Sequence, residues 1–398
     1  MNHRWRGLAV LAVFASLPAL AWPPFAPLRD IGGVPQPAKP ETVRQVRTAN
    51  VVWANYPLIR RDFPSLAPLG DDEIDAWLVR QAVVSRAQAE QTEFNTSIQT
   101  GDYEGKAVRP KDYGRGLVVD TGAGLIDVKG AGSDNPRYDW EDGDPRNGNV
   151  TLGEAMREDL MSELVEDVVR DAELDVKVVR NYAVIDTGFD VIHRNSARQE
   201  VGRSPAGMLF RQAHTRFEDP QAAHVADRGK YYLWNQAKSL TVEKVLRRYG
   251  LSSEGSGRAP GAAEGGVNIQ GTMDGAILDF GNYVARDRFE ERPVYHFYGT
   301  EPLLAPGPGF LQPDPRLLVP MAQWGAFRAG HIDSKADRPW VYSHEAAKYI
   351  AERFRRGDKA AAREAAANHR RNMLGPVKAA FRRRAQLGCK RALDIVLP

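Results

Sequence analysis

Lys129, Glu158 and Asp279 are the residues whose types and order in this chain suit them to chemistry. Lys129 closes the run Leu125-Ile126-Asp127-Val128-Lys129, where strand alternation sets Ile126 and Val128 on one face and Leu125, Asp127 and Lys129 on the other. Glu158 shares a helical stripe with Ala155, Met161, Ser162 and Val165. A carboxylate on a mostly apolar stripe needs a cation, because burying it unpaired is costly. Lys129 is the partner this predicts. Asp279 opens the tripeptide Asp279-Phe280-Gly281. A strand lysine, a helix glutamate and a later aspartate suit a nucleotide. The amine meets phosphate oxygens, the glutamate holds the amine, and the aspartate takes Mg2+ bridging the phosphates. Singly, each residue also reads as a solvated side chain. The order of all of them carries the argument.

The elements that must position these residues are legible around them. Val118-Val119, a turn at Thr121–Gly124 and the run to Lys129 predict a β-hairpin. Thr151 and Glu154 form a Thr-x-x-Glu capping box, and Leu152, Met156, Leu160, Leu164 and Val168 recur every fourth residue, which predicts an amphipathic helix. Asp134 to Asn149 is a polar loop. Ile74, Trp77, Leu78, Ala82 and Val83 predict a helix within Asp71–Gln91, and Tyr231–Tyr249 another. Tyr182–Asp186 and Gly207–Arg211 read as strands, and Val267–Asn282 as a hairpin turning near Asp274-Gly275. The fold class is α+β.

Lys129-Gly130-Ala131-Gly132, followed by the helix Leu152-Gly-Glu-Ala-Met-Arg157-Glu158-Asp-Leu-Met-Ser162-Glu163, resembles the selenoprotein O family. Tyr103-Glu104-Gly105 and Tyr113-Gly114-Arg115-Gly116 are similar to its glycine-rich segment, and the likeness runs to about Tyr298, roughly half the chain. The resemblance implies a protein-kinase-like, two-lobed fold, with a smaller β-rich N-terminal lobe over 101–218 and a larger, mainly helical C-terminal lobe over 219–398. It implies transfer of AMP from ATP to protein hydroxyl groups, with ATP and Mg2+ as cofactors. Lys129 and Glu158 would be the catalytic ion pair, with Lys129 and Gly130 against the nucleotide. Arg211 and Arg216 would hold the nucleotide in a reversed orientation, a task suited to paired guanidinium donors. Asp279 would hold the metal together with Asn268 or Gln270. The family has an Asp-Asn pair before that hairpin. Here an ungapped count places Ile269 and Gln270 there, and one gap brings in Asn268. Neither supplies the aspartate that acts as base, so nucleotide binding is implied more directly than transfer.

The ends of the chain say where it acts. Arg4 and Arg6, the apolar run Gly7–Leu17 and Ala19-Leu20-Ala21 predict a secretory signal peptide over 1–21, cleaved after Ala21 and too short to span a membrane. The mature chain is therefore expected to be periplasmic or secreted. An N-terminal arm and helix follow over 22–100, Pro-rich to Pro40. No later apolar run approaches about 18 residues, so no integral membrane segment is expected after cleavage. Cys389 is the only cysteine, which excludes an intrachain disulfide and a cysteine metal site. The 8 histidines, His214 among them, show no ligand spacing. His344–Ala392 is helical and carries an excess of about ten positive charges in a chain of net charge +3. That asymmetry supports the alternative reading, a catalytically inactive scaffold that binds a partner or an anionic envelope surface through its basic tail.

Overall fold

The computed structural model describes residues 38–86, 93–110, 114–133, 148–194, 200–214, 245–246, 251–253, 270–272, 276–280, 283–286, 293–295, 343–371, 373–374 and 378. The strands are β1 (Ala38–Pro40), β2 (Val43–Val46), β3 (Asn50–Ala54), β4 (Val84–Arg86), β5 (Thr100–Gly101), β6 (Lys106–Pro110), β7 (Gly116–Asp120) and β8 (Leu125–Lys129). They continue with β9 (Val150–Thr151), β10 (Asn181–Arg194), β11 (Glu200–Gln212), β12 (Leu251–Ser253), β13 (Gln270–Gly271), β14 (Ile277–Leu278), β15 (Tyr283–Arg286) and β16 (Pro293–Tyr295). The helices are α1 (Tyr56–Asp62), α2 (Asp71–Ala82), α3 (Leu152–Asp171) and α4 (Ser343–Arg355). The protein is a mixed α+β fold with antiparallel sheets and few helices.

The main sheet has eight strands in the order β1-β6-β7-β8-β11-β10-β3, with β9 paired to β11. Period-two alternation sends successive side chains to opposite faces. Ile126, Val128, Ala183, Ile185, Met208 and Phe210 join Ile59, Phe63, Ile74, Trp77 and Leu78 in one core, under α1 and α2. Their neighbours Val184 and Leu209 face the other way, with Val52, onto Leu152, Ala155 and Met156 of α3 and Ala346, Ile350 and Phe354 of α4. The sheet is therefore covered by helices on both faces. The second half of α3 enters a further cluster with Val178, Leu246, Ile277, Phe280, Met373 and Leu374.

Several expectations are revised. The helix read within Asp71–Gln91 stops at Ala82, and the β-branched pair Val83-Val84 passes into β4. The strands read at 182–186 and 207–211 are parts of a longer hairpin, Asn181–Arg194 with Glu200–Gln212. A register shift between Asp186 and Asp190 breaks its alternation, which hides the continuation. The capping box is half made. Thr151 Oγ1 accepts from Glu154 N at 3.1 Å, but the Glu154 carboxylate accepts from Arg115 Nη2 at 2.8 Å instead of returning to Thr151. The helical C-terminal stretch is interrupted: Gly357 N donates to Phe354 O, and Asp358 Oδ1 accepts from Ala361 N to open a second helical run at 359–371. His214 is buried, and its Nδ1 lies 2.9 Å from Gln212 O.

The signal segment, the loop at 134–147, Arg216, Asn268 and most of the helix read at 231–249 lie outside the described residues. Among the described residues no helix is long and apolar enough to cross a membrane.

Candidate functional site

Lys129 is set by the hairpin β7–β8. Thr121 N donates to Gly124 O at 3.0 Å and Gly122 N to Asp120 Oδ1 at 2.9 Å, closing the turn that places Gly116 opposite Lys129. The chain then bends sharply. Gly130 has φ 101°, and a Cβ there would stand 2.8 Å from Gly207 O, so only glycine fits directly after the lysine. Arg86, fully buried, donates to the carbonyls of Gly114, Gly116 and Gly132 and pins both ends of this bend. The sequence gives no local signal of that role, because the carbonyls it serves are 28–46 residues away.

Glu158 is set by α3, whose long apolar stripe packs on the sheet while Glu158 faces β8 and β11. Both ion-pair partners are buried, Lys129 at 6% and Glu158 at 2% exposure. Lys129 Nζ lies 2.5 Å from Glu158 Oε2 and 3.1 Å from Asp279 Oδ1. Asp279 comes from the strand pair β13–β14, in which Gln270 stands opposite Leu278. That hairpin is tied to the segment after α3 by Val179 N donating to Ile277 O and Ile277 N donating to Lys177 O. Asp279 has φ 67°, a left-handed conformation that costs most side chains about 1 kcal/mol or more and that aspartate tolerates better than most.

Arg211 reaches the same point from inside β11. It pairs in register with Asp127 on β8, two residues before Lys129. Its Nε and Nη2 donate to Asp127 Oδ1 at 2.9 and 2.8 Å, and Nη1 donates to Glu158 Oε1 at 3.2 Å. Burial works against this guanidinium's charge, but Asp127, Glu158 and Asp279 outweigh it and raise its pKa above the ordinary arginine value. Asp127 was visible in the sequence only as a same-face neighbour of Lys129. Its partner sits 84 residues away, beyond the reach of periodicity.

No protein-family model matches this chain. No curated protein matches it either.

Two cations, Lys129 and Arg211, thus meet three carboxylates, Asp127, Glu158 and Asp279. The most accessible of the five is Asp279, whose side chain is 22% exposed. An oxygen-rich, acidic edge beside an amine suits a hard divalent cation carrying phosphate. Among the described residues no group of three or more His, Cys, Asp or Glu forms a self-sufficient metal cluster.

Proposed function

We propose that this protein is a divergent, exported relative of the selenoprotein O family, with a kinase-like two-lobed fold that binds ATP with Mg2+ between Lys129 and Asp279. The reaction class is AMP transfer to protein hydroxyl groups. One observation carries the reading: a buried lysine is held between a helix glutamate and the aspartate of Asp-Phe-Gly. Glu158 and Asp279 hold the amine by hydrogen bonds at the point where phosphate oxygens would arrive. Mg2+ bound at Asp279 would neutralise phosphate charge. Arg211 takes part in gripping phosphate by exchanging one of its carboxylates for it, and Arg216 would supply the second guanidinium.

In the transfer, the acceptor hydroxyl oxygen bonds to the α-phosphorus, the bond to the β-phosphate oxygen breaks, and pyrophosphate leaves. With no aspartate at the expected base position, the hydroxyl proton passes to water. A positioned base contributes about 10²–10⁴-fold, so turnover is slow by that order.

The test uses mature protein from the native host, whose N-terminus, read by mass spectrometry, is expected to follow Ala21. ATP with Mg2+ should bind, and Asp279→Ala and Lys129→Ala should each weaken binding at least tenfold. Label should enter an acceptor protein from α-³²P-ATP and not from γ-³²P-ATP. Robust γ-label transfer overturns the AMP reading. Binding of neither ATP nor label points to the scaffold alternative.

A further inference from the structure

Away from Lys129, α3 carries Asp159, Glu163 and Asp167 at i, i+4 and i+8, an acidic stripe about 140° round the helix from Glu158. Two cations from the C-terminal segment straddle it. Arg370 donates to both Asp159 and Glu163. Lys378 Nζ lies 2.5 Å from Glu163 and 2.7 Å from Asp167. Each cation joins two successive turns, and the two segments run in the same direction, so the spacing of one matches that of the other. Arg370 also stacks 3.8 Å over the ring of Trp53 on β3, and Asn181 Nδ2 on β10 donates to Asp159 Oδ1 at 3.2 Å. The helix is thereby fixed in rotation against the sheet. The cations border a polar cavity of about 520 Å³ between α3, the end of β3 and Lys378, through which dissolved ions reach them.

We propose that Arg370 and Lys378 are positioning residues: the C-terminal segment is a latch across the outer face of α3 that sets the roll of the helix and so delivers Glu158 to Lys129. A helix side-chain tip lies about 6 Å from the axis, so a roll of about 20° displaces it by about 2 Å, enough to break a hydrogen bond. Glu158 is held from its own side by Lys129 and Arg211, and the latch supplies the opposing constraint. The stripe is met by basic side chains, and they come from this chain's own tail. In the described residues the tail's Arg355 and Arg363 likewise go to Asp190, Asp72 and Asp75. Four cations of the tail, Arg355, Arg363, Arg370 and Lys378, are thus directed inward. As regulation of nucleotide binding, the latch rests on the function proposed above. As geometry, it does not.

The test compares full-length wild type with Arg370→Gln/Lys378→Gln, using Arg356→Gln/Arg371→Gln as the charge-matched control. Hydrogen exchange of the amides at 152–171 is read by mass spectrometry, alongside acylation of Lys129 by an amine-reactive ester. The latch predicts at least tenfold faster exchange in α3 and several-fold faster acylation of Lys129 in the first variant only. Arg370→Lys/Lys378→Arg should restore both. Wild-type behaviour of the double glutamine variant overturns the proposal. If that variant does not fold, wild type is titrated to about 1 M salt, which screens the partly accessible Lys378–Glu163 pair, 25% and 31% exposed, more than the buried Lys129–Glu158 pair. Lys129 acylation should then rise, and a flat response overturns the latch. ATP that fails to bind wild type while Lys129 stays latch-dependent removes the nucleotide reading and supports the latch. ATP that binds equally to wild type and the folded glutamine variant removes only the latch's regulation of nucleotide binding.

Discussion

Glu158 is the residue on which two buried cations converge, one at each carboxylate oxygen. Removing its charge leaves Lys129 and Arg211 to share Asp127 and Asp279, and breaking a buried ion pair costs about 3 kcal/mol or more. Glu158→Gln is therefore expected to lower unfolding free energy in urea by about that amount. Asp279→Asn, at the accessible edge, should lower it by about 1 kcal/mol or less. Equal effects would show that the network is not built around Glu158. At this scale the sequence was informative where neighbours are local. Lys129, Asp127 and Glu158 could be placed on faces from alternation and the helical period alone. Arg211 could not be placed against Asp127 in that way, because cross-strand register is fixed by backbone pairing that no local pattern reports. Arg86 was likewise invisible, since three of its partners are backbone carbonyls, which every residue possesses, and its carboxylate partner Glu41 lies far away in the chain, just after β1.

Helix α3 is the most legible element, because its N-cap threonine and its long apolar stripe agree with each other. What lies over it was not legible. His369, on the run at 359–371, is buried against Met156, Leu160 and Val184, and burial pushes its pKa down to about 4. Above its ordinary value of about 6.5 it is neutral whether folded or not. As pH falls below that, the unfolded chain takes up the proton first, so this contribution to stability is lost progressively until about pH 4. The full loss is roughly 3 kcal/mol. Asp75 and Asp186, buried carboxyls pushed up to about 6, work in the opposite sense over the same window. The measurement is consequently a difference. The stability of wild type minus that of His369→Gln should decline by roughly 3 kcal/mol between pH 7 and pH 4. A difference independent of pH would place the imidazole in contact with water.

For the molecule as a whole, the described helices of the tail complete the layer begun by α3. Ala346, Ala347, Ile350, Ala351 and Phe354 cover Val52, Val184 and Leu209 on the second face of the sheet. A chain ending at residue 342 would leave that face covered by α3 alone and is expected to bind a hydrophobic dye and to unfold without a sharp transition. Retention of a cooperative transition equal to that of the full chain would show that the tail is dispensable. The tail's helical character and its charge were readable from composition, but its destination was not, since pairing across the chain leaves no periodic trace. The distance involved has a kinetic meaning. Glu163 meets Arg370 207 residues further along and Lys378 215 residues further along. Closing so long a loop costs little in equilibrium terms, because the entropy grows only with the logarithm of length, about 0.6 kcal/mol per doubling. Its cost is delay: contacts distant in sequence form slowly, and these await the synthesis of the part carrying Arg370 and Lys378. Until that part emerges, the sheet lacks one of its coverings and α3 lacks its outer clamp. The fold therefore stays incomplete, and the polypeptide pliable, until residues 343 to 378 have been made.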